Sequence, residues 1–160
     1  MYKSRQIGPY CYAKEAVCVK VKDIMTKQVV GIGADESAEV AARTLTQYNI
    51  GALPVYSSDG KLCGMVTDRD LVIRCMAAGK LPSQTKVRQV MTRQVVAAQP
   101  DMEVGVAAHL MGRQQVRRLP VTENGKLCGM VTLGDLAGQE DSVMDAADAL
   151  MDITNNVSDR

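Results

Sequence analysis

Two T-x-x-D motifs carry the most suggestive polar chemistry of the 160-residue chain: Thr67 with Asp70, and Thr132 with Asp135. A carboxylate placed where a strand turns into a helix can accept two hydrogen bonds from a vicinal diol such as ribose. The neighbouring hydroxyl can donate or accept, and the start of a helix favours a phosphate. Removing one such group typically costs about 1.5–3 kcal/mol, roughly 10- to 150-fold in affinity. The same spacing makes a capping box, in which threonine and acid satisfy each other's backbone N–H groups. Spacing alone leaves both readings open. A second feature is Arg117-Arg118, which stands where the first half of the chain has Gly51-Ala52. Paired guanidinium groups at a strand entry suit a phosphate clamp. They suit equally a charged strand edge that discourages aggregation.

Other chemistries lack their parts. Acid–base or nucleophilic catalysis needs a base beside a nucleophile, or a metal. The single histidine, His109, falls on an exposed or half-buried face of a predicted helix. Five cysteines (Cys11, Cys18, Cys63, Cys75, Cys128) form no C-x-x-C, and Cys63 and Cys128 read as small apolar residues at equivalent places. No G-x-G-x-x-G, Walker loop or G-x-S-x-G is present. The reading is therefore a protein with no catalytic and no metal-ligating residues. A net charge of +1 without blocks of like charge argues against nucleic acid as a partner. No apolar run approaches the ~20 residues of a membrane span, there is no signal sequence, and thiols are kept reduced inside cells. A soluble cytoplasmic location follows as the expectation.

The elements that hold these residues are written twice. Val21–Tyr56 aligns with Val87–Thr122, and, after one extra residue in a turn, Gly60–Leu71 aligns with Gly125–Leu136. The two copies are identical at 23 of 48 positions, and Gly-Lys-Leu-Cys-Gly-Met-Val-Thr recurs unchanged at 60–67 and 125–132. In each copy a short valine run (Val29-Val30; Val95-Val96) predicts a strand, and Asp35 or Asp101 stands as an N-cap. A helix follows with Ala38, Ala41, Ala42 and Leu45, or Val104, Ala107, Ala108 and Met111, on its inner face. Leu53-Pro54-Val55 or Leu119-Pro120-Val121 then begins a hairpin turned by Asp59-Gly60 or Asn124-Gly125. A second helix starts near Asp68 or Leu133.

The fold class is thus α+β (α/β). Two β-α-β-β-α repeats, each too small to bury its sheet alone, pack sheet to sheet about a pseudo-twofold axis. The division is an extension over 1–20, repeat 1 over 21–78, a linker over 79–86, repeat 2 over 87–139, and a C-terminal helix and tail over 140–160. That helix is expected over about Val143–Asp152, with Ala146, Ala147, Leu150 and Met151 on one face.

The M-T-x-x-V-V openings (Met25-Thr26, Met91-Thr92), the L-P-V strands and the G-h-h-T-x-x-D endings (Gly64–Asp70, Gly129–Asp135) resemble tandem cystathionine-β-synthase (CBS) domains. The resemblance covers about Val21–Gln139. It implies a stand-alone regulatory pair (a Bateman module) with no obligatory cofactor. Such a pair commonly dimerises, and it binds an adenine nucleotide of the AMP, ADP, ATP or S-adenosylmethionine class to regulate a partner protein. It also implies two clefts that each draw on both repeats. One would combine Thr67 and Asp70 with Val95, Val96, Val116, Arg117 and Arg118. The other would combine Thr132 and Asp135 with Thr26, Val29, Val30, Ile50 and Gly51. Only the first would own arginines, and Gly31 and Gly33 would loosen the wall of the second. The alternative is a constitutive interaction scaffold whose clefts are vestigial.

Overall fold

A computed structural model describes residues 18–158. Repeat 1 runs through α1 (Val21–Ile24), β1 (Ile32–Gly33), α2 (Ala38–Tyr48), β2 (Ala52–Tyr56), β3 (Leu62–Thr67) and α3 (Asp68–Leu71), which widens into a π-helical turn over Val72–Met76. Repeat 2 opens with a 3₁₀ turn at Val87–Gln89. It continues through α4 (Val104–Gln114), β4 (Arg118–Glu123), β5 (Lys126–Thr132) and α5 (Leu133–Ala137), and a long α6 (Val143–Ser158) follows. In repeat 1, β1 pairs parallel to β2 and β2 antiparallel to β3. In repeat 2, β4 and β5 form the hairpin and Ala98 alone bridges to Val121.

Both hairpin turns use the glycine the sequence provides: Gly60 and Gly125 each have φ of 77°, and Asn124 joins at 51°. Helices α2 and α4 both end on a left-handed residue, Asn49 or Gln115. Each end is tied back by Ile50 N–H donating to the Leu45 carbonyl, or Val116 N–H to that of Met111. These caps fix where β2 and β4 begin, and so where Gly51, Arg117 and Arg118 stand.

Each repeat lends its opening segment to the other. Val21 lies in the apolar cluster of repeat 2, with Leu119, Val121, Val131 and Met111. Val87, Val90 and Met91 lie in that of repeat 1, with Leu53, Val55, Val66 and Leu45. The interior is therefore two clusters joined by exchange rather than one continuous core. Backbone hydrogen bonds repeat the trade symmetrically: Val21 N–H donates to Met102 O and Val87 N–H to Glu36 O. Thr26 and Met130 exchange two bonds, as do Thr92 and Met65. The glycine of each G-h-h-T motif is where the visiting methionine rests. A Cβ at Gly64 would lie 2.6 Å from Met91 Sδ, and one at Gly129 would lie 2.5 Å from Met25 Sδ.

Several expectations are corrected. Asp35 and Asp101 do not cap α2 and α4. Ser37 caps α2 by accepting from Val40 N–H, and Glu103 at the start of α4 makes no side-chain cap. The two aspartates are drawn instead to the visiting segments: Asp35 pairs with Lys86 and Arg88, and Asp101 with Lys20 and Lys22. Those hydrogen-bonded cations hold both carboxyls below the usual aspartate value. The valine runs Val29-Val30 and Val95-Val96 are half-buried but lie outside the ladders; pairing begins later, at Ile32 and Ala98. Residues 26 and 92 are already tied to the other repeat, so the valines bridge the gap between two sheets.

Helix α6 reaches Ser158 and buries Ala146, Ala149 and Ile153, while Leu150 and Met151 face outward. Its inner face is set by close approach to α4, where a Cβ at Gly112 would lie 3.3 Å from Ala149 Cα. Small residues must face inward there. Ala42 is exposed whereas its counterpart Ala108 is buried, because α6 covers α4 and, among the described residues, no helix covers α2 in the same way. Gly31 does not loosen a wall. A Cβ there would overlap the Tyr56 ring, so the ring fills the space, where repeat 2 has Ala97 and Thr122.

Candidate functional site

The two T-x-x-D motifs form complete capping boxes. Thr67 N–H and Oγ1–H both donate to Asp70 Oδ2, at 2.9 and 2.8 Å, and Asp70 N–H donates to Thr67 Oγ1 at 3.1 Å. Thr132 and Asp135 repeat this at 2.8, 2.7 and 3.3 Å. The capping reading is therefore realised. It does not use up the carboxylates, because each box engages Oδ2 and leaves Oδ1 to other partners. Both threonines and both aspartates are half-buried at the ends of β3 and β5.

The second oxygens differ. Asp70 Oδ1 lies 3.3 Å from Arg74 Nη1, in the π turn. Asp135 has no cationic partner within 4.0 Å among the described residues, since Gln139 occupies the position matching Arg74. Sequence reasoning passed over Arg74; the signal that could have found it is this Arg/Gln difference between otherwise similar repeats.

The strand entries of the two repeats meet. Ala52 stands opposite Thr67 in the β2–β3 ladder, and Arg118 opposite Thr132 in the β4–β5 ladder. The Gly51 carbonyl accepts from Asp68 N–H, and that of Arg117 from Leu133 N–H. The Arg118 side chain crosses the repeat boundary. A Cβ at Gly51 would lie 3.5 Å from Arg118 Nη2 and 3.6 Å from Asp68 Oδ2. Arg118 is thus next to Thr132 in its own sheet and next to Gly51 across the boundary, not confined to the Thr67–Asp70 side. Arg117 is exposed and Arg118 half-buried, and neither has a carboxylate within 4.0 Å among the described residues. Two guanidinium charges without a carboxylate partner among the described residues can bind an anion, with bidentate geometry available for phosphate.

The remaining apolar candidates lie against the two clusters. Val30 and Ile50 pack against the cluster of repeat 1, and Val96 and Val116 against that of repeat 2. Val29 and Val95 are half-buried beside them. The Thr26 backbone is committed to the Met130 bridge, and its side chain is exposed.

His109 is 66% exposed, with Nε2 3.6 Å from Asp145 Oδ1, so it links α4 to α6 away from these groups. Cys63 and Cys128 are half-buried against the two clusters, and burial pushes both thiols up, away from the reactive thiolate. Among the described residues no group of three or more His, Cys, Asp or Glu side chains could hold a metal ion. No helix among them is long and apolar enough to cross a membrane. Cys11 and the extension up to Val17 lie outside the described residues.

Known proteins share this arrangement. The family model for the CBS domain matches twice, at residues 21–76 and 87–142. The CBS domain-containing protein YhcV of Bacillus subtilis is 41% identical over 135 residues, spanning 84% of this chain and 95% of that protein. Two solved structures align closely. One is Hypoxic Response Protein I with two coordinated zinc ions (33% identical, TM-score 0.70, covering 76% of this chain and 98% of that one). The other is the CBS domain pair of protein MJ0100 in complex with 5-methylthioadenosine and S-adenosyl-L-methionine (30% identical, TM-score 0.69, covering 76% and 94%). Two matched repeats, the same fold and this degree of identity lead to one conclusion: the chain belongs to the CBS-domain family, as a tandem pair.

Proposed function

We propose that this pair is a non-catalytic sensor that binds an adenine nucleotide, or a related adenosyl compound such as S-adenosylmethionine, between its repeats. The observation that carries the reading is Arg118, a guanidinium of repeat 2 with no carboxylate within 4.0 Å among the described residues, whose Nη2 lies beside Gly51 of repeat 1. A phosphate there would touch both repeats at once. The carboxylates of Asp70 and Asp135, each with an oxygen outside its capping box, would take ribose hydroxyls. The half-buried valines and Ile50 would border the base. The adenosyl ligands of the MJ0100 pair support the ligand class. The nucleotide acts here as a regulatory ligand, and its effect on a partner is bounded by its differential affinity for two arrangements of the repeats. A homodimer and a regulated partner protein belong to the same proposal. Val72, Ile73 and Met76 on the π turn, and Met144, Leu150 and Met151 on α6, offer exposed apolar side chains for such contacts.

Calorimetric titration tests the reading. Arg118→Ala should weaken AMP by roughly 10- to 150-fold, the usual cost of one charged hydrogen-bonding group. S-Adenosylmethionine, which has no phosphate, should bind the variant as before. Unchanged AMP affinity would overturn the assignment.

The second reading, a constitutive scaffold, draws on the capping boxes, which give Thr67, Asp70, Thr132 and Asp135 a structural role without any ligand. A thermal-shift panel separates the two. A ligand at 100 times its dissociation constant adds about 2.7 kcal/mol to stability, and a scaffold shows no shift with any adenine compound.

A further inference from the structure

Resting on that reading, we infer that Arg74 makes the two clefts unequal by latching the repeat-1 ribose carboxylate to the seam between repeats. Arg74 Nη1 faces three oxygens: the Val90 carbonyl at 2.9 Å, Thr92 Oγ1 at 3.2 Å and Asp70 Oδ1 at 3.3 Å. The first two belong to the segment that repeat 2 lends to repeat 1. The third belongs to the motif that would hold a ribose. One side chain thus ties a candidate ligand group to the exchanged segment.

The backbone supports this placement. Arg74 sits in the π turn Val72–Met76, closed by Ala77 N–H donating to the Val72 carbonyl, and π turns inside helices recur at functional positions. In repeat 2 the helix stops at Ala137, and Gln139 makes no side-chain hydrogen bond to the matching segment among the described residues. Asp135 is accordingly open and Asp70 is occupied. A ribose hydroxyl that donates to Asp70 Oδ1 must displace Arg74 from it, and in doing so loosens the hold on Val90 and Thr92. A ribose at Asp135 meets no such competition. The repeat-1 cleft is then the weaker one and the one whose filling alters the seam. The repeat-2 cleft binds without that consequence.

Arg74 is 45% exposed on its side chain and Asp70 13%, so Arg74→Gln, which copies repeat 2, should leave the fold intact. The test is calorimetric titration of AMP into the full chain, with Asp70→Asn and Asp135→Asn assigning each constant to its cleft. Amide hydrogen exchange over residues 90–93 is followed in parallel. Wild type should show two unequal constants and faster exchange at 90–93 on filling the weaker cleft. Arg74→Gln should tighten that cleft by about 1.5- to fivefold, the effect of removing one competing ion pair. It should also abolish the ligand-dependent change in exchange, and Arg74→Lys should partly restore both. Gln139→Arg should weaken the other cleft. A gain in affinity is what a merely structural role would not produce. If AMP binds and Arg74→Gln leaves both constants unchanged or weakens them, the latch is refuted and the nucleotide reading survives. If AMP, ADP, ATP and S-adenosylmethionine all fail to bind wild type, both are refuted.

Discussion

Replacing Gly64 by alanine tests the exchange of segments directly. A methyl at 64 would meet Met91 Sδ at 2.6 Å and, more seriously, the Thr92 carbonyl oxygen at 2.9 Å. The sulfur can swing aside. The carbonyl cannot, because it accepts from Met65 N–H at 2.9 Å while Thr92 N–H donates to the Met65 carbonyl at 2.8 Å. Overpacking of this kind costs about 1–3 kcal/mol, and weakening one buried backbone bond adds about 1 kcal/mol. The lower entropy of an unfolded alanine returns about 0.4–1 kcal/mol. The net loss is about 2 kcal/mol, which lowers Tm by roughly 4–8 °C in a chain of this size. At Gly129 the nearest backbone atom, Thr26 O, stands back at 3.2 Å, and the tight contacts are all with the flexible Met25 side chain. Gly129→Ala should therefore cost under about 1 kcal/mol. Thermal and urea unfolding followed by circular dichroism gives both values. A double-mutant cycle gives the decisive one. Gly64→Ala combined with Met91→Ala should be less damaging than the sum by at least about 1 kcal/mol, whereas Gly64→Ala with Met25→Ala should be additive. Coupling of Gly64 to Met25 instead of Met91 would show that each repeat keeps its own opening segment, and the exchange argument would fall.

Two further perturbations probe the frame. Gly112→Leu would push against Ala149 Cα and Asp152 Oδ2, at 3.3 and 3.2 Å from the new Cβ. It should lift α6 off α4, lower stability by about 2–4 kcal/mol and open residues 143–158 to limited proteolysis; a variant as protease-resistant as wild type would contradict the packing. The paired Asp35 and Asp101 should give an acid limb to the stability curve. Their folded-state values lie below the ordinary 3.8, so their contribution is complete above pH 3.8 and is lost as pH falls through the lowered values. Asp35→Asn/Asp101→Asn should be less stable than wild type at pH 7 and converge with it in acid, as followed by urea midpoints from pH 7 to 2. Equal midpoints throughout would show that these surface pairs contribute nothing.

The duplication was legible because identity between copies needs no structural knowledge to see. The hairpins were legible because Asp59-Gly60 and Asn124-Gly125 demand positive φ at one or both turn positions. The start of each second helix was legible because T-x-x-D is a cap before it is anything else. The exchange was not legible, since Val21 and Val87 are apolar at equivalent positions and a repeat does not say which copy buries them. The inner face of α6 was misassigned because hydrophobicity favours Leu150 and Met151, while the approach to Gly112 requires Ala149. Of the candidate site, the carboxylates and arginines were readable by type. What was hidden is reach: Arg118 crossing to Gly51, and Arg74 spanning a π turn that no local propensity announces.

The traded openings also bear on how such a chain comes into being. Synthesis delivers the first repeat before the second, yet its interior lacks Val87, Val90 and Met91 until those residues have emerged in turn. The first half therefore waits, partly unfinished, for its neighbour's leading edge, and neither half severed at the connector would close by itself. A single copy on its own could complete its apolar cluster in this manner only by trading leading edges with a second copy, which the covalent link between the repeats supplies within one chain.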